Sequence, residues 1–275
     1  MRCHYLSDLH LETQDFTWRL PHGDILIVAG DLGNASCLAP ARLDLYSVRQ
    51  RDRIRRFADA AVANFAHVLL VAGNHDHYGQ TLDETIELLR SELPGVTVLD
   101  DEAIEIGGVQ FFGTTLWSDF EGRSEACMDG LRRRVGDYFF IKTAMSGEGS
   151  LADGAVRLAK FRPEDALAAF DRAMAALGSH LARSAARRTV VVSHHAPSRH
   201  GCNPLHAGNG LDGAYASDLD GFIAALDTVP VWVHGHTHIQ RTYRIGATDV
   251  RTNCRGFDGR DGAARRFSPN SWFEV

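Results

Sequence analysis

Residues 67–76 read HVLLVAGNHD: an apolar run from Val68 to Ala72 stops at Gly73, and Gly73 is followed by an amide, an imidazole and a carboxylate. A short run of this kind, rich in Val and Leu and closed by glycine, predicts a strand buried on both faces. The same pattern recurs in HYLSDLH (4–10), DILIVAGDLGN (24–34), TVVVSHHAP (189–197) and PVWVHGHTH (230–238). Open α/β sheets gather their ligands beyond the C-terminal ends of the strands. The loops that leave these runs are therefore the place to look for function.

Helical patterns lie between the runs. Ile54, Phe57, Ala58, Ala61, Val62 and Phe65 follow i, i+3, i+4 spacing and predict one apolar stripe. TLDETIELLRSEL (81–93) opens with Thr81 and Glu84 in capping-box spacing, carries Leu82, Ile86, Leu89 and Leu93 on one face, and is stopped by Pro94-Gly95. Strand and helix thus alternate in the first half, which predicts an α/β fold. After Pro94, VTVLD, EAIEI and VQFFG follow in series, the last two separated by Gly107-Gly108, and are expected as antiparallel additions. Residues 118–160 are Gly-rich, charged and weakly periodic; then Pro163 opens a helix with Leu167, Phe170, Met174, Leu177 and Leu181 on its core side. Residues 118–185 are accordingly expected as an insertion over one face. RTYRIGATDVRTNCRG (241–256) reads as a hairpin around Gly246. With no repeat or linker in view, 1–275 is expected to be one domain.

Composition narrows the function. The 275 residues are 44% hydrophobic, enough for a full core. A formal net charge of -6 opposes bulk attraction to nucleic acid or an acidic membrane surface. Cys3, Cys37, Cys127, Cys202 and Cys254 are scattered without a CxxC pair, which suggests neither a disulfide framework nor a zinc ribbon. The opening MRCHYLSDLH has no apolar targeting segment, and no later run approaches a membrane span, so a soluble, cytoplasmic protein is expected. GNGLDG (208–213) matches GxGxxG but follows no strand, and the arginines at 49, 51, 53, 55, 56 and 132–134 suit solvated helix faces. GxSxG, HExxH and GxxxxGK[ST] are absent.

HGHTH (234–238) places three imidazoles on alternate positions, which by itself suits either the wet face of an edge strand or a set of metal ligands. The other strand ends weigh in. In chain order they supply Asp8 and His10, Asp31, Asn74 and His75, His194, then His236 and His238. The blocks DxH, GDxx[DN], GNH[DE], HH shortly before proline, and GHxH run in this order along the chain and resemble the calcineurin-like metallophosphoesterase superfamily. The resemblance implies a four-layer αββα sandwich: two mixed β-sheets flanked by helices, with metal ligands on loops at the C-terminal ends of strands. It also implies hydrolysis of phosphomonoesters or phosphodiesters by attack of a hydroxide bridging two divalent ions.

Two such ions roughly 3.5–4 Å apart repel unless an anion lies between them. An imidazole nitrogen has one lone pair, so the bridge has to be a carboxylate, and the GD block supplies Asp31. By the resemblance, Asp8, His10, Asp31 and His238 take one ion, and Asp31, Asn74, His194 and His236 the other. Mn is the first candidate, while Fe, Zn and Ni also suit these ligands. His75 is implied as general acid. Asn34 stands where some relatives carry an aspartate, so Asp76 is expected as the acidic partner of His75. His195 and His234 are expected as neighbours of the ligands, with His195 also a candidate substrate contact. His4, His67 and His77 are expected outside the ligand set. In the loop 199–216, Arg199 is the leading substrate contact, with His200, Asn203, His206 and Asn209 nearby. The substrate expected is a small phosphoester, nucleotides included.

GDLGN and GNHD lack the arginine of the phosphoprotein phosphatases and look more like small bacterial metallophosphoesterases and class III cyclic-nucleotide phosphodiesterases. A metal-binding scaffold on the same fold is the alternative, and the complete ligand set argues against it. A mononuclear iron oxygenase favours HxD and an amidohydrolase an early HxH, whereas this chain has DxH early and HxH late.

Overall fold

The computed structural model describes residues 1–144, 157–184, 187–204, 207–260 and 265–275. The first sheet begins with β1 (Arg2–Leu6), β2 (Gly23–Ala29), β3 (Phe65–Val71) and β4 (Val96–Val98), all parallel. β5 (Glu102–Ile106) and β6 (Val109–Thr114) form a hairpin, and β7 (Lys142–Ala144) and β8 (Leu158–Lys160) form a separate ribbon. β9 (Thr189–Ser193), β10 (Val231–His234), β11 (Gln240–Ile245) and β12 (Thr248–Asn253) complete the second sheet, while β13 (Trp272–Glu274) returns antiparallel to β1. The sheet orders are β13-β1-β2-β3-β4 and β11-β12-β10-β9-β6-β5. Both are mixed: β6, β9, β10 and β12 run parallel, with antiparallel β5 and β11 at the edges.

The alternation of side chains along each strand makes the layers. On β2, Ile25, Ile27 and Ala29 face the space between the sheets, where they meet Leu69, Val71, Phe111, Val190, Val192 and Val233. Leu26 and Val28 face the other way, with Val68 and Leu70, onto Ile54, Phe57, Ala58, Ala61, Ile86 and Leu89 of the helices Leu45–Asn64 and Leu82–Glu92. On the second sheet Phe112, Val191, Trp232 and Val250 pack on Ala166, Ala169, Phe170, Ala173 and Leu177 of the helix Pro163–Arg183. Each fully buried Val, Leu, Ile or Phe side chain contributes roughly 1.5–3 kcal/mol. The apolar runs are hydrophobic on both faces because one face meets helices and the other a second sheet. This is the expected αββα sandwich.

Several local expectations change. The helix Leu45–Asn64 ends before Phe65, which is the first residue of β3, and Val62 is exposed. β4 is a parallel neighbour of β3, because the capping-boxed helix Leu82–Glu92 serves as the crossover between them. β6 likewise pairs parallel with β9, so only the β5–β6 contact is antiparallel. The hairpin around Gly246 is β11–β12. Residues 118–144 contain a left-handed turn at Phe120–Arg123 and short helices at Glu125–Leu131 and Asp137–Phe140, and so are more ordered than their weak periodicity implied. Within the expected insertion, 145–156 and 185–186 lie outside the described residues. Among the described residues, no helix is long and apolar enough to cross a membrane.

Candidate metal centre

The five long apolar runs end side by side. The loops after β1 and β2 zip together through Asp8 N–H to Gly30 O (3.0 Å) and His10 N–H to Asp31 O (3.1 Å). Asp8, His10, Asp31, His236 and His238 all sit at positive φ, between 48° and 67°. Such backbone costs of order 1–3 kcal/mol per residue and persists only where its surroundings impose it. Here it turns successive side chains of the loops inward. Gly73 supplies the room: a Cβ there would lie 2.2 Å from Asp31 Oδ1.

Asp31 occupies the middle. Its Oδ1 lies 3.5 Å from His194 Nε2 and its Oδ2 3.7 Å from His10 Nε2, so each oxygen addresses a different histidine. Beyond His10, His238 Nε2 lies 3.0 Å from His10 Nε2 and 3.4 Å from Asp8 Oδ1. Beyond His194, Asn74 Oδ1 lies 3.0 Å from His194 Nε2. Three sets of donor atoms converge within 4.8 Å: Asp8, His10 and His238; His10, Asp31 and His75; and Asp31, His194 and His236.

The sequence pattern of the calcineurin-like phosphoesterases matches residues 1–240. The chain belongs to this family of phosphoester hydrolases. It is also similar to an uncharacterised protein of Acanthamoeba polyphaga mimivirus, with 21% identity over 98% of this chain and 95% of the relative. Among solved structures it resembles the phosphopantetheinyl hydrolase of Mycobacterium tuberculosis, with 20% identity, a TM-score of 0.64, and coverage of 99% of this chain and 95% of that one. At that identity the likeness speaks for the fold.

The donor chemistry of this phosphoesterase fits the divalent ions that its family implies. His194 Nδ1 donates to Ala29 O (2.9 Å), which leaves Nε2 unprotonated and facing Asp31. His10 Nδ1 donates in the same way to Glu12 Oε1 (2.9 Å), and its Nε2 faces the pocket. Burial lowers the pKa of both rings, that of His194 to about 4, so they stay neutral. Burial, together with the nearby Asp8, Asp76 and Glu12 carboxylates, pushes Asp31 well above the usual range despite the opposing His75 charge. Asp8 and Asp31 are buried and, among the described residues, bond to imidazoles and backbone N–H groups rather than to lysine or arginine. A cation is what such a group of crowded acids and unprotonated nitrogens calls for.

His75 stands beside this group. Its Nδ1 lies 3.1 Å from Glu12 Oε1, and its ring stacks on Tyr78 with centroids 4.4 Å apart. Burial lowers its pKa, but the Asp31 charge and the Glu12 hydrogen bond outweigh that and raise it to about 9. The acidic partner of His75 is therefore Glu12, and the expectation of Asp76 is corrected. Asp76 instead accepts the backbone N–H groups of Asp31 (3.0 Å), Gly33 (2.9 Å) and Gly73 (2.7 Å), pinning two strand-end loops together. Glu12 carries a sequence cue in hindsight, since it lies two residues beyond His10 in DLHLE.

The remaining candidates are dispersed. His195 is buried, with Nδ1 toward Thr115 O (3.2 Å) and its ring 4.2 Å from that of His236. His234 approaches Tyr243 Oη (3.4 Å), so the alternation in HGHTH does not put all three rings in one cluster. His4 packs edge-on against Phe65 and His77 stacks on Trp117. Arg199 is exposed and pairs with Glu121 (3.3 Å), and His200 lies 3.4 Å from Asp220. Arg134 holds Asn209 O, Asn203 has a partner of its own, and His206 lies outside the described residues. Phe257, which had no sequence signal, stacks on His10 at 3.9 Å because the chain after β12 runs alongside Ser7 and Asp8.

Proposed function

We propose that this phosphoesterase hydrolyses small phosphomonoesters or phosphodiesters at a centre of two divalent ions, with the whole chain as one domain and residues 118–185 as its insertion. Asp8, His10, Asp31 and His238 hold one ion, and Asp31, Asn74, His194 and His236 the other. The observation that carries this reading is the placement of Asp31, one oxygen toward His10 and one toward His194. When bound, the ions supply a water acidic enough to serve as nucleophile and offset the negative charge of the phosphoryl group.

The chain's own residues do the rest. Asp8 accepts the His236 N–H at both oxygens (3.0 and 3.1 Å), which fixes the turn that carries His236 and His238. Glu12 holds Nδ1 of His10 and of His75, so that one carboxylate oxygen orients a ligand ring and a proton donor together. His75, whose pKa burial lowers but the Asp31 charge and the Glu12 hydrogen bond raise, would deliver the proton on Nε2 to the departing oxygen, a contribution typically of about 10²–10⁴ in rate.

Nucleotides and phosphopantetheinyl compounds are the substrates to try first, the latter because a solved structure of this fold is named a phosphopantetheinyl hydrolase. The test is turnover of metal-reconstituted protein on aryl and alkyl monoesters, diesters, cyclic nucleotides and a phosphopantetheinyl compound. Activity is expected with Mn, lost on chelation and recovered on adding metal back. Protein that binds two ions yet turns over none of these would favour the scaffold reading.

A further inference from the structure

Among its described residues, the segment between β6 and β9 brings Asp137 to the metal pocket. Asp137 opens the helical turn Asp137–Phe140 and is buried, with 4% of the residue exposed. Asp137 Oδ1 accepts two hydrogen bonds, from Asn74 Nδ2 (2.8 Å) and from Tyr78 Oη (2.9 Å). The first settles a question that Asn74 cannot settle alone. An amide can present either its oxygen or its NH₂ to a cation, and only the oxygen ligates. With Nδ2 donating to the Asp137 carboxyl oxygen, Oδ1 faces His194 Nε2, where it lies at 3.0 Å.

We propose that Asp137 is a positioning residue that sets metal affinity on the Asn74 side of the site by fixing the orientation of the Asn74 amide. This rests on the two-ion reading above. Tyr78, whose ring stacks on His75, shares Asp137 Oδ1 with Asn74 and also bonds the Asn74 side chain, so it belongs to the same network. Groups that orient a ligand from behind typically contribute 10–100-fold to metal affinity. Asp137 is therefore expected to contribute on that scale, and at one ion only.

The experiment is calorimetric titration of Mn into chelator-treated full-length protein, with a thermal midpoint recorded for each variant. Wild type is expected to show two binding steps, and the step that Asn74→Ala weakens identifies its side of the site. Asp137→Ala should weaken that step about 10–100-fold and leave the other as it was. Asp137→Asn still offers an acceptor oxygen and should recover the step at least in part, while Tyr78→Phe, which keeps the Asp137 acceptor, should weaken it less than Asp137→Ala does. If Asp137→Ala does not fold, Asp137→Ser takes its place with the same readout.

Equal weakening of both steps, an unaltered isotherm, or failure of Asp137→Asn to recover would overturn the proposal. Wild-type protein that binds no Mn would instead sink the two-ion reading, which the wild-type titration reports before any variant is made.

Discussion

The loops leaving β1, β2, β3, β9 and β10 reach the metal pocket within a few residues of a strand end, whereas Asp137 reaches it from a run of short helices between β6 and β9. The first group is held by sheet register and by backbone bonds such as those Asp76 makes to Asp31, Gly33 and Gly73. Asp137 meets the pocket through side-chain bonds to Asn74 and Tyr78. The strand-end residues can therefore be strained, with φ near 50° at Asp8, His10, Asp31 and His238. On the reading proposed above, the sheets would build the ligand cage, while the segment between β6 and β9 would adjust it. Substitutions should lose function in that order.

The sharpest way to break this contrast is Asp31→Ala. Both ions and all turnover above buffer should go, as measured by elemental analysis and aryl phosphatase assay. Two tightly bound ions with normal turnover in that variant would show that the strand-end carboxylate is not the shared ligand.

His75→Ala comes next, because it removes a proton donor and leaves the cage intact. Alkyl phosphoesters should slow by about 10²–10⁴, nitrophenyl esters far less, and metal content should hold. An equal drop on both leaving groups would take His75 out of the chemistry.

Glu12→Gln sharpens the same comparison through pH. Glu12 helps to raise the His75 pKa, and the acid form of His75 is lost as pH rises through that value. Removing the carboxylate lowers the pKa, so the alkaline limb of kcat on an alkyl ester should move to lower pH. The maximum should also fall, by about 10-fold, through the loosened His10. A limb that stays where it was separates Glu12 from His75.

Arg199→Ala should have the smallest effect. An exposed arginine already paired with Glu121 contributes about 0–1 kcal/mol to stability, and its variant should keep its metal and nearly its KM. A KM raised by tens of fold on an anionic substrate would return Arg199 to the substrate.

Much of this molecule was legible in its sequence, and the reasons are local. Val68–Val71 and Val190–Val192 announce buried strands because both faces of such strands meet apolar neighbours. Thr81 and Glu84 announce a helix start because the capping box is closed within four residues. The same locality explains the errors. Val62 and Phe65 continue a helical period in sequence, yet β3 begins at Phe65, since pairing with Gly23 wins over periodicity. In HGHTH, positive φ at His236 and His238 breaks the alternation that an extended strand would impose.

By itself the sequence determined the strand-end blocks, the order in which they come, and an α/β fold, because hydrophobic period and ligating residue types are properties of short stretches; the αββα layering was implied by the family resemblance that those blocks carry. Only the tertiary structure decided that Glu12 rather than Asp76 faces His75, that Asp137 holds Asn74, and that Phe257 covers His10. Those pairs span 63, 63 and 247 residues of chain respectively, counting from Glu12 to His75, Asn74 to Asp137 and His10 to Phe257. Contacts so distant in sequence arise from how sheets and insertion pack, and no local pattern of residues encodes them.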